Sequence, residues 1–165
     1  MANKKPNAIK VLFIGNSFTQ RNNLPQLLTE MAAVREVAIE DDLICMGGAS
    51  LRTHWDAGRA ADAIAMGCYD YAVLQEQSTL PVKNAARMAE NIRLFDEVIK
   101  KGDAKTVLYM TWARQHTPEA QEVIADAYNT IGEELGAIVV PVGIVRKNFL
   151  AEHETPVLSP SADGD

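Results

Sequence analysis

The chain has 165 residues, a length that suits one domain with a single substantial core. Its hydrophobic content of 47% and charged content of 23% are typical of a globular protein, and its net charge of -6 argues against nucleic acid and anionic membranes as partners. The first ten residues are polar, so we expect a cytoplasmic location unless a secretion signal has been trimmed.

Strand and helix patterns alternate along the chain. Short apolar, β-branched runs predict five strands, over residues 9–14, 42–46, 69–74, 106–110 and 137–142. Apolar residues at helical spacing predict helices over residues 24–34, 57–66, 83–101, 118–135 and 145–151. This alternation favours a parallel sheet with helices on both faces. We therefore predict one flavodoxin-like, three-layer α/β/α domain over residues 1–165.

Polar or glycine-containing loops follow the first three strands. The first strand stops at Gly15-Asn16-Ser17, the second precedes Gly47-Gly48, and the third precedes Gln75–Ser78. Because parallel strands end at the same edge of a sheet, these loops are expected to meet there. Ser17 then suits a nucleophile, and its N–H, the Gly48 N–H and the Gln77 amide suit an oxyanion hole. The alternative for Ser17 is a helix-capping serine.

Other α/β chemistries lack their sequence signatures. The chain contains neither GxGxxG nor GxxxxGK[ST], the loops that hold dinucleotides and nucleoside triphosphates, and it has no GxSxG elbow. A phosphate- or flavin-binding domain that uses the loop at residues 16–19 as an anion site remains the alternative.

Three blocks of this sequence resemble the SGNH (GDSL-like) hydrolase superfamily. They are IGNSFT at residues 14–19, GGASLRTHW at 47–55 and DYAVLQEQS at 70–78, and the resemblance runs from Val11 to the end of the chain. It implies a serine esterase with Ser17 as nucleophile and Gly48 and Gln77 as oxyanion donors, Gln77 standing where most members have asparagine. It also implies a small-molecule ester with a short acyl group, such as acetyl on a carbohydrate, and no metal or cofactor.

The last block of that superfamily is Asp-x-x-His, which supplies the general base and its orienting acid. If Asp163 is this aspartate, with a turn-forming Asp-Gly as the alternative, the histidine would follow Asp165 directly. We expect the natural protein to continue with that histidine, and the 165-residue form to be folded but nearly inactive. A degenerate, non-catalytic domain is the competing explanation. The sequence predicts no oligomeric state.

The histidines within the chain are weaker candidates for the base. His54 resembles a feature of the superfamily's second block, and we expect it to be structural or to line the substrate pocket. His116 follows the fourth strand at the same edge of the sheet, so it approaches the pocket but is a disfavoured base. His153 lies in the polar tail and is expected to be solvated.

Four further side chains are placed near the predicted site. Asn16 is expected to tie neighbouring loops together by hydrogen bonds. Glu76 is expected to be solvated or paired with Arg52 or Arg114. Trp55 and Trp112 are expected either to line an acyl or sugar pocket or to pack in the core and rim.

Overall fold

The computed structural model describes residues 8–153, so Asp163 lies outside the described residues. The strands are β1 (Ile9–Gly15), β2 (Ile39–Cys45), β3 (Tyr71–Leu74), β4 (Lys105–Tyr109) and β5 (Ile138–Val140). The helices are α1 (Ser17–Gln20), α2 (Leu24–Ala33), α3 (Leu51–Asp56), α4 (Arg59–Gly67), α5 (Leu80–Lys83), α6 (Ala85–Lys101), α7 (Ala120–Leu135) and α8 (Val142–Glu152). A 3-10 turn, Arg21–Asn23, joins α1 to α2.

All strand pairs are parallel, and the strand order is β2-β1-β3-β4-β5. This arrangement confirms the predicted α/β fold with a five-stranded parallel sheet. The first strand lies between the second and the third, so the loops that follow these three strands are neighbours at one edge. Residues 8–153 include no helix with the length and apolar character needed to cross a membrane.

The two faces of the sheet bury different sets of side chains, because successive residues of a strand point to opposite faces. Leu12 and Ile14 belong to the larger core, which includes residues of α4, α6 and α7 such as Ile64, Phe95 and Ile124. Val11 and Phe13, on the opposite face, form a smaller cluster with Val73 and Val107, against which Leu24 of α2 packs. The larger core holds α3, α4, α6 and α7 against the sheet near the loops that follow β2 and β3.

Several predicted helices differ from the observed ones. The helix predicted at 57–66 is α4, and a separate helix, α3, precedes it; Gly58, with a positive φ of 76°, lies between the two. Ahead of the helix predicted at 83–101, Pro81 lies in the first turn of a short helix, α5, and Asn84 caps α6 after it. The apolar face predicted for α2 is largely exposed, with Met31 at 71%. The predicted helix that became α7 also leaves one of its apolar residues, Val123, 50% exposed.

Candidate active site

Ser17 is the first residue of α1 and directly follows the turn that ends β1. The Asn16 side chain caps this helix by accepting a hydrogen bond from the Phe18 N–H at 3.1 Å. Gly15 has no room for a side chain, since a Cβ would lie 2.6 Å from Thr19 Oγ1 and 2.7 Å from Gln75 Oε1. This close packing brings the backbone around Ser17 against the loop that follows β3. The Ser17 side chain is half-buried.

Asn16 and Gln75 connect the turn after β1 to both neighbouring loops. Asn16 Nδ2 donates to the carbonyl oxygen of Ala49 at 2.9 Å. Gln75 Oε1 accepts from the Asn16 N–H at 3.0 Å and from Thr19 Oγ1 at 2.9 Å. Both side chains are almost fully buried, so these bonds are shielded from competing water. Asn16 therefore ties the loops together, as the sequence predicts, and its side chain lies between them.

The buried Glu76 side chain joins the loop after β2 to the loop after β3. It is 0% exposed, which contradicts the expectation of a solvated or arginine-paired carboxylate. Oε1 accepts from the backbone N–H of Leu51 at 3.0 Å and of Gln77 at 2.7 Å, and Oε2 accepts from Asn91 Nδ2 at 2.9 Å. Burial raises the pKa of this carboxyl, and the three hydrogen bonds oppose that rise. Two backbone N–H groups and the Asn91 side chain thus satisfy Glu76 in place of a cation.

Three hydrogen-bond donors lie in the loops after β1, β2 and β3. Within residues 8–153, neither the Ser17 N–H nor the Gly48 N–H donates to a backbone acceptor. Gly48 has a φ of +70°, a conformation that favours glycine. Gln77 Oε1 accepts from the Thr79 N–H at 2.9 Å. Because a backbone N–H only donates, this contact identifies the oxygen of the amide and leaves Nε2 as its donor.

The two tryptophans have different surroundings. Trp112, which follows β4, stacks on Phe18 with ring centroids 4.3 Å apart, and the Arg146 guanidinium lies over its ring at 5.6 Å. This stack links the residue after Ser17 to the loop after β4 and to α8. Trp55 packs edge-to-face against Phe95 at 5.3 Å, so it joins α3 to α6 as part of the core packing.

None of the described histidines is hydrogen-bonded to a carboxylate in residues 8–153. His54 is buried, and its Nε2 lies 2.8 Å from the carbonyl oxygen of Gly15, so this nitrogen carries the proton and donates. His116 is exposed after β4. His153 Nδ1 contacts the carbonyl oxygen of Phe149 at 2.8 Å, and its ring stacks on that phenyl ring. His54 thus fixes α3 to the end of β1.

Comparison with solved structures identifies the architecture. A protein from Slackia heliotrinireducens, named as a candidate SGNH hydrolase, superposes with a TM-score of 0.75 at 24% identity, over 96% of this chain and 89% of that one. The chain adopts the SGNH hydrolase fold. A DUF4886 family protein from Bacteroides uniformis aligns with a TM-score of 0.69 at 21% identity, over 96% of this chain and 75% of its own.

An acetylxylan esterase from Geobacillus stearothermophilus, Axe2, also shares the SGNH fold. Its TM-score is 0.69 at 15% identity, and the alignment covers 91% of this chain and 83% of Axe2. Neither the protein-family models nor the curated proteins include a match to this sequence. In this fold the loops after β1, β2 and β3 of the present chain carry the residues predicted from the sequence, namely Ser17, Gly48 and Gln77.

Two residues of this edge had no role assigned from the sequence. Gln75 organises the Ser17 turn, and the only signal was its position at the end of a buried strand, beside Glu76. Arg146 lies in α8, 34 residues after Trp112, and no local pattern connects it with the site. Both depend on contacts between distant parts of the chain.

Proposed function

We propose that this protein is a serine hydrolase that cleaves short-chain carboxylic esters through an acyl-serine intermediate. The observation that supports this proposal is the grouping of Ser17 with three donors from adjacent loops, its own N–H, the Gly48 N–H and Gln77 Nε2. Donors of this kind stabilise the negative charge that develops on a carbonyl oxygen under attack.

In the proposed reaction, Ser17 Oγ attacks the acyl carbon and loses its proton to a general base. The carbonyl oxygen becomes an oxyanion held by the three donors. The intermediate then collapses, the alcohol leaves with the proton, and water hydrolyses the acyl-serine by the same route in reverse. The general base remains the prediction of the sequence, a histidine partnered by Asp163. The substrate is proposed to carry a short acyl group, such as acetyl on a carbohydrate, which is the kind of ester named for the acetylxylan esterase Axe2.

A second candidate is a non-catalytic binder of small anionic molecules. It is favoured by the same three donors, since N–H groups can bind an anion whether or not a reaction follows. The same donors would then bind an anion without turnover.

Hydrolysis of p-nitrophenyl acetate by a form of the protein that carries the predicted C-terminal histidine, combined with mass spectrometry of the acylated protein, separates the two candidates. For the hydrolase, Ser17→Ala reduces the rate to that of buffer and removes the acetyl group from the peptide containing residue 17. Ser50→Ala is the matched control, because Ser50 is a half-buried serine after β2 that caps α3 and has no role in the proposal. Equal rates for wild type and Ser17→Ala would exclude Ser17 as the nucleophile. A wild type no faster than buffer would support the binder.

A further inference from the structure

A cleft of about 280 Å³ opens beside the proposed site, between α5 and the start of α7. Ser78 and Thr79 line one side of it, and Thr79 holds Gln77 Oε1 through its N–H and its hydroxyl, both at 2.9 Å. Trp112 lines the cleft as well, and its ring stacks on Phe18. The cleft therefore adjoins both the proposed oxyanion donor and the turn that carries the proposed nucleophile.

A second cleft of about 390 Å³ continues from the first towards α8. The two clefts share Ala113 and Arg114, and the second is also lined by Arg146 and Lys147. Together they form one elongated depression, here called the basic cleft, that leads away from the proposed nucleophile.

The charge of the basic cleft is opposite to that of the whole chain. Lys83, Arg114, Arg146 and Lys147 line it, and none of its described lining residues is acidic, although the chain carries a net charge of -6. Lys147 forms an exposed ion pair with Glu122 at 3.3 Å. The other three cations form no salt bridge within residues 8–153. An acidic protein repels an anionic ligand at long range, so this local concentration of cations makes the basic cleft the favoured place for such a ligand to bind.

Arg146 is held in place without a carboxylate. Its guanidinium lies 5.6 Å from the centre of the Trp112 ring, and partial burial lowers its pKa, although an arginine stays protonated in proteins. A partly dehydrated cation loses less hydration when it meets an anion. Arg114, shared by both clefts, presents the planar donor fork that matches carboxylate and phosphate oxygens.

We propose that the substrate of this protein is an ester that bears an anionic group, a carboxylate or a phosphate, and that this group binds in the basic cleft against Arg114. Only one part of this proposal, that the substrate is an ester, rests on the proposed function. The anion-binding cleft is a separate property that is measured without turnover.

The test uses the 165-residue chain with Ser17→Ala, so that no hydrolysis is needed. Glucuronate and glucose 6-phosphate are each compared with glucose by following the indole N–H signal of Trp112 in NMR titrations. Trp55, the other tryptophan of the chain, packs on Phe95 and serves as the internal reference. We expect one or both anions to shift the Trp112 signal with a Kd at least tenfold below that of glucose, and the Trp55 signal to stay unchanged.

Two charge-removing variants give the matched comparison. Arg114→Gln should weaken anion binding at least tenfold, and Arg114→Lys should recover part of it. Arg87→Gln removes the same charge from an exposed position of α6 and should change the Kd less than twofold. Equal binding of glucose and both anions, or equal losses in Arg114→Gln and Arg87→Gln, would overturn the proposal. Glucuronate and glucose 6-phosphate distinguish a carboxylate from a phosphate substrate. The p-nitrophenyl acetate assay independently decides whether the protein is a hydrolase.

Discussion

The side-chain amide of Asn16 donates a hydrogen bond to the carbonyl oxygen of Ala49, 2.9 Å away. The same side chain accepts from the Phe18 N–H, so one buried residue both caps the helix of Ser17 and holds the loop that carries Gly48. The distance between the proposed nucleophile and the second proposed oxyanion donor therefore depends on this residue.

Asn16→Asp should destabilise the fold. Aspartate still accepts from the Phe18 N–H, but it places an oxygen against the Ala49 carbonyl where a donor stood, and we expect a loss of about 1–3 kcal/mol in the free energy of unfolding. Asn84→Asp is the matched control, because Asn84 caps α6 in an exposed position and only accepts, from the Arg87 N–H. Urea unfolding measures both, and equal losses in the two variants would contradict the role assigned to Asn16 Nδ2.

Gln77→Glu should reduce turnover with little effect on stability. Glutamate keeps an acceptor for the Thr79 N–H but replaces the proposed oxyanion donor with a negatively charged oxygen. In a form of the protein that carries the predicted C-terminal histidine, we expect kcat for p-nitrophenyl acetate to fall by about 10²–10³-fold with a nearly unchanged urea midpoint. Gln26→Glu adds the same charge at an exposed position of α2 and should reduce kcat far less. Equal activities of Gln77→Glu and Gln26→Glu would remove Gln77 from the proposed oxyanion hole.

Alanine at the three glycines of the first two loops should give three different stabilities. At Gly15 the new Cβ meets Thr19 Oγ1 and Gln75 Oε1 below 3 Å, and overpacking of this kind costs about 1–3 kcal/mol or more. At Gly48 there is space, but the φ of +70° costs an L-residue about 1–2 kcal/mol. At Gly47 there is space and no positive φ, so the change should stay within about 0.5 kcal/mol. Thermal or urea unfolding checks this order, and a Gly47→Ala loss as large as that of Gly15→Ala would refute it.

Glu76→Gln isolates the pH dependence that this buried carboxyl contributes. Burial raises its pKa in the folded state, so the folded protein binds the proton more tightly than the unfolded chain does. The stabilisation is complete below the unfolded pKa of about 4.3 and is lost as the pH rises through the higher folded pKa. The variant lacks this titration, so its stability relative to wild type should increase over that pH range and then level off.

Glu76→Gln also keeps the hydrogen bonds that this side chain makes with Leu51, Gln77 and Asn91. Asn91 Oδ1 has no partner among the described residues, so a flip of the Asn91 amide lets it accept from the new NH₂ group while Leu51 and Gln77 still donate to the other atom. Urea unfolding of both proteins from pH 4 to pH 8 gives the difference. A wild type that gains stability relative to the variant as the pH rises would mean that the pKa of Glu76 is lowered instead.

The fold was predictable because its main signals are local. Apolar β-branched runs such as Val11–Ile14 and helical stripes such as that of α6 alternate, and this alternation predicts a parallel sheet. The predictions fail where contacts between distant residues determine which side chains are buried and where a strand begins. The apolar residues of α2 predict a buried face, yet Met31 is largely exposed within the described structure. Strand β2 begins at Ile39, before the predicted start, because charged residues at its exposed edge position hide the pattern.

The edge of the sheet at which Ser17, Gly48 and Gln77 lie was predictable from strand endings alone. The supporting residues were not. Glu76 resembles a solvated acid in sequence because its donors are the backbone of Leu51, 25 residues away, and the side chain of Asn91, 15 residues away. The basic cleft likewise combines α5, the loop after β4 and α8, so no single segment of the sequence shows its concentration of positive charge.

The position of β1 between β2 and β3 also affects the order in which the fold assembles. The Ser17 turn depends on Gln75, which is 59 residues from Asn16, and such distant contacts form slowly because a long loop must first close. During synthesis, a chain that has emerged only as far as α4 contains the serine and the Gly48 loop but lacks the strand that completes their arrangement. Ser17 therefore lacks the contacts of Gln75 around its turn until β3 is added beside β1, so its final surroundings form late in folding.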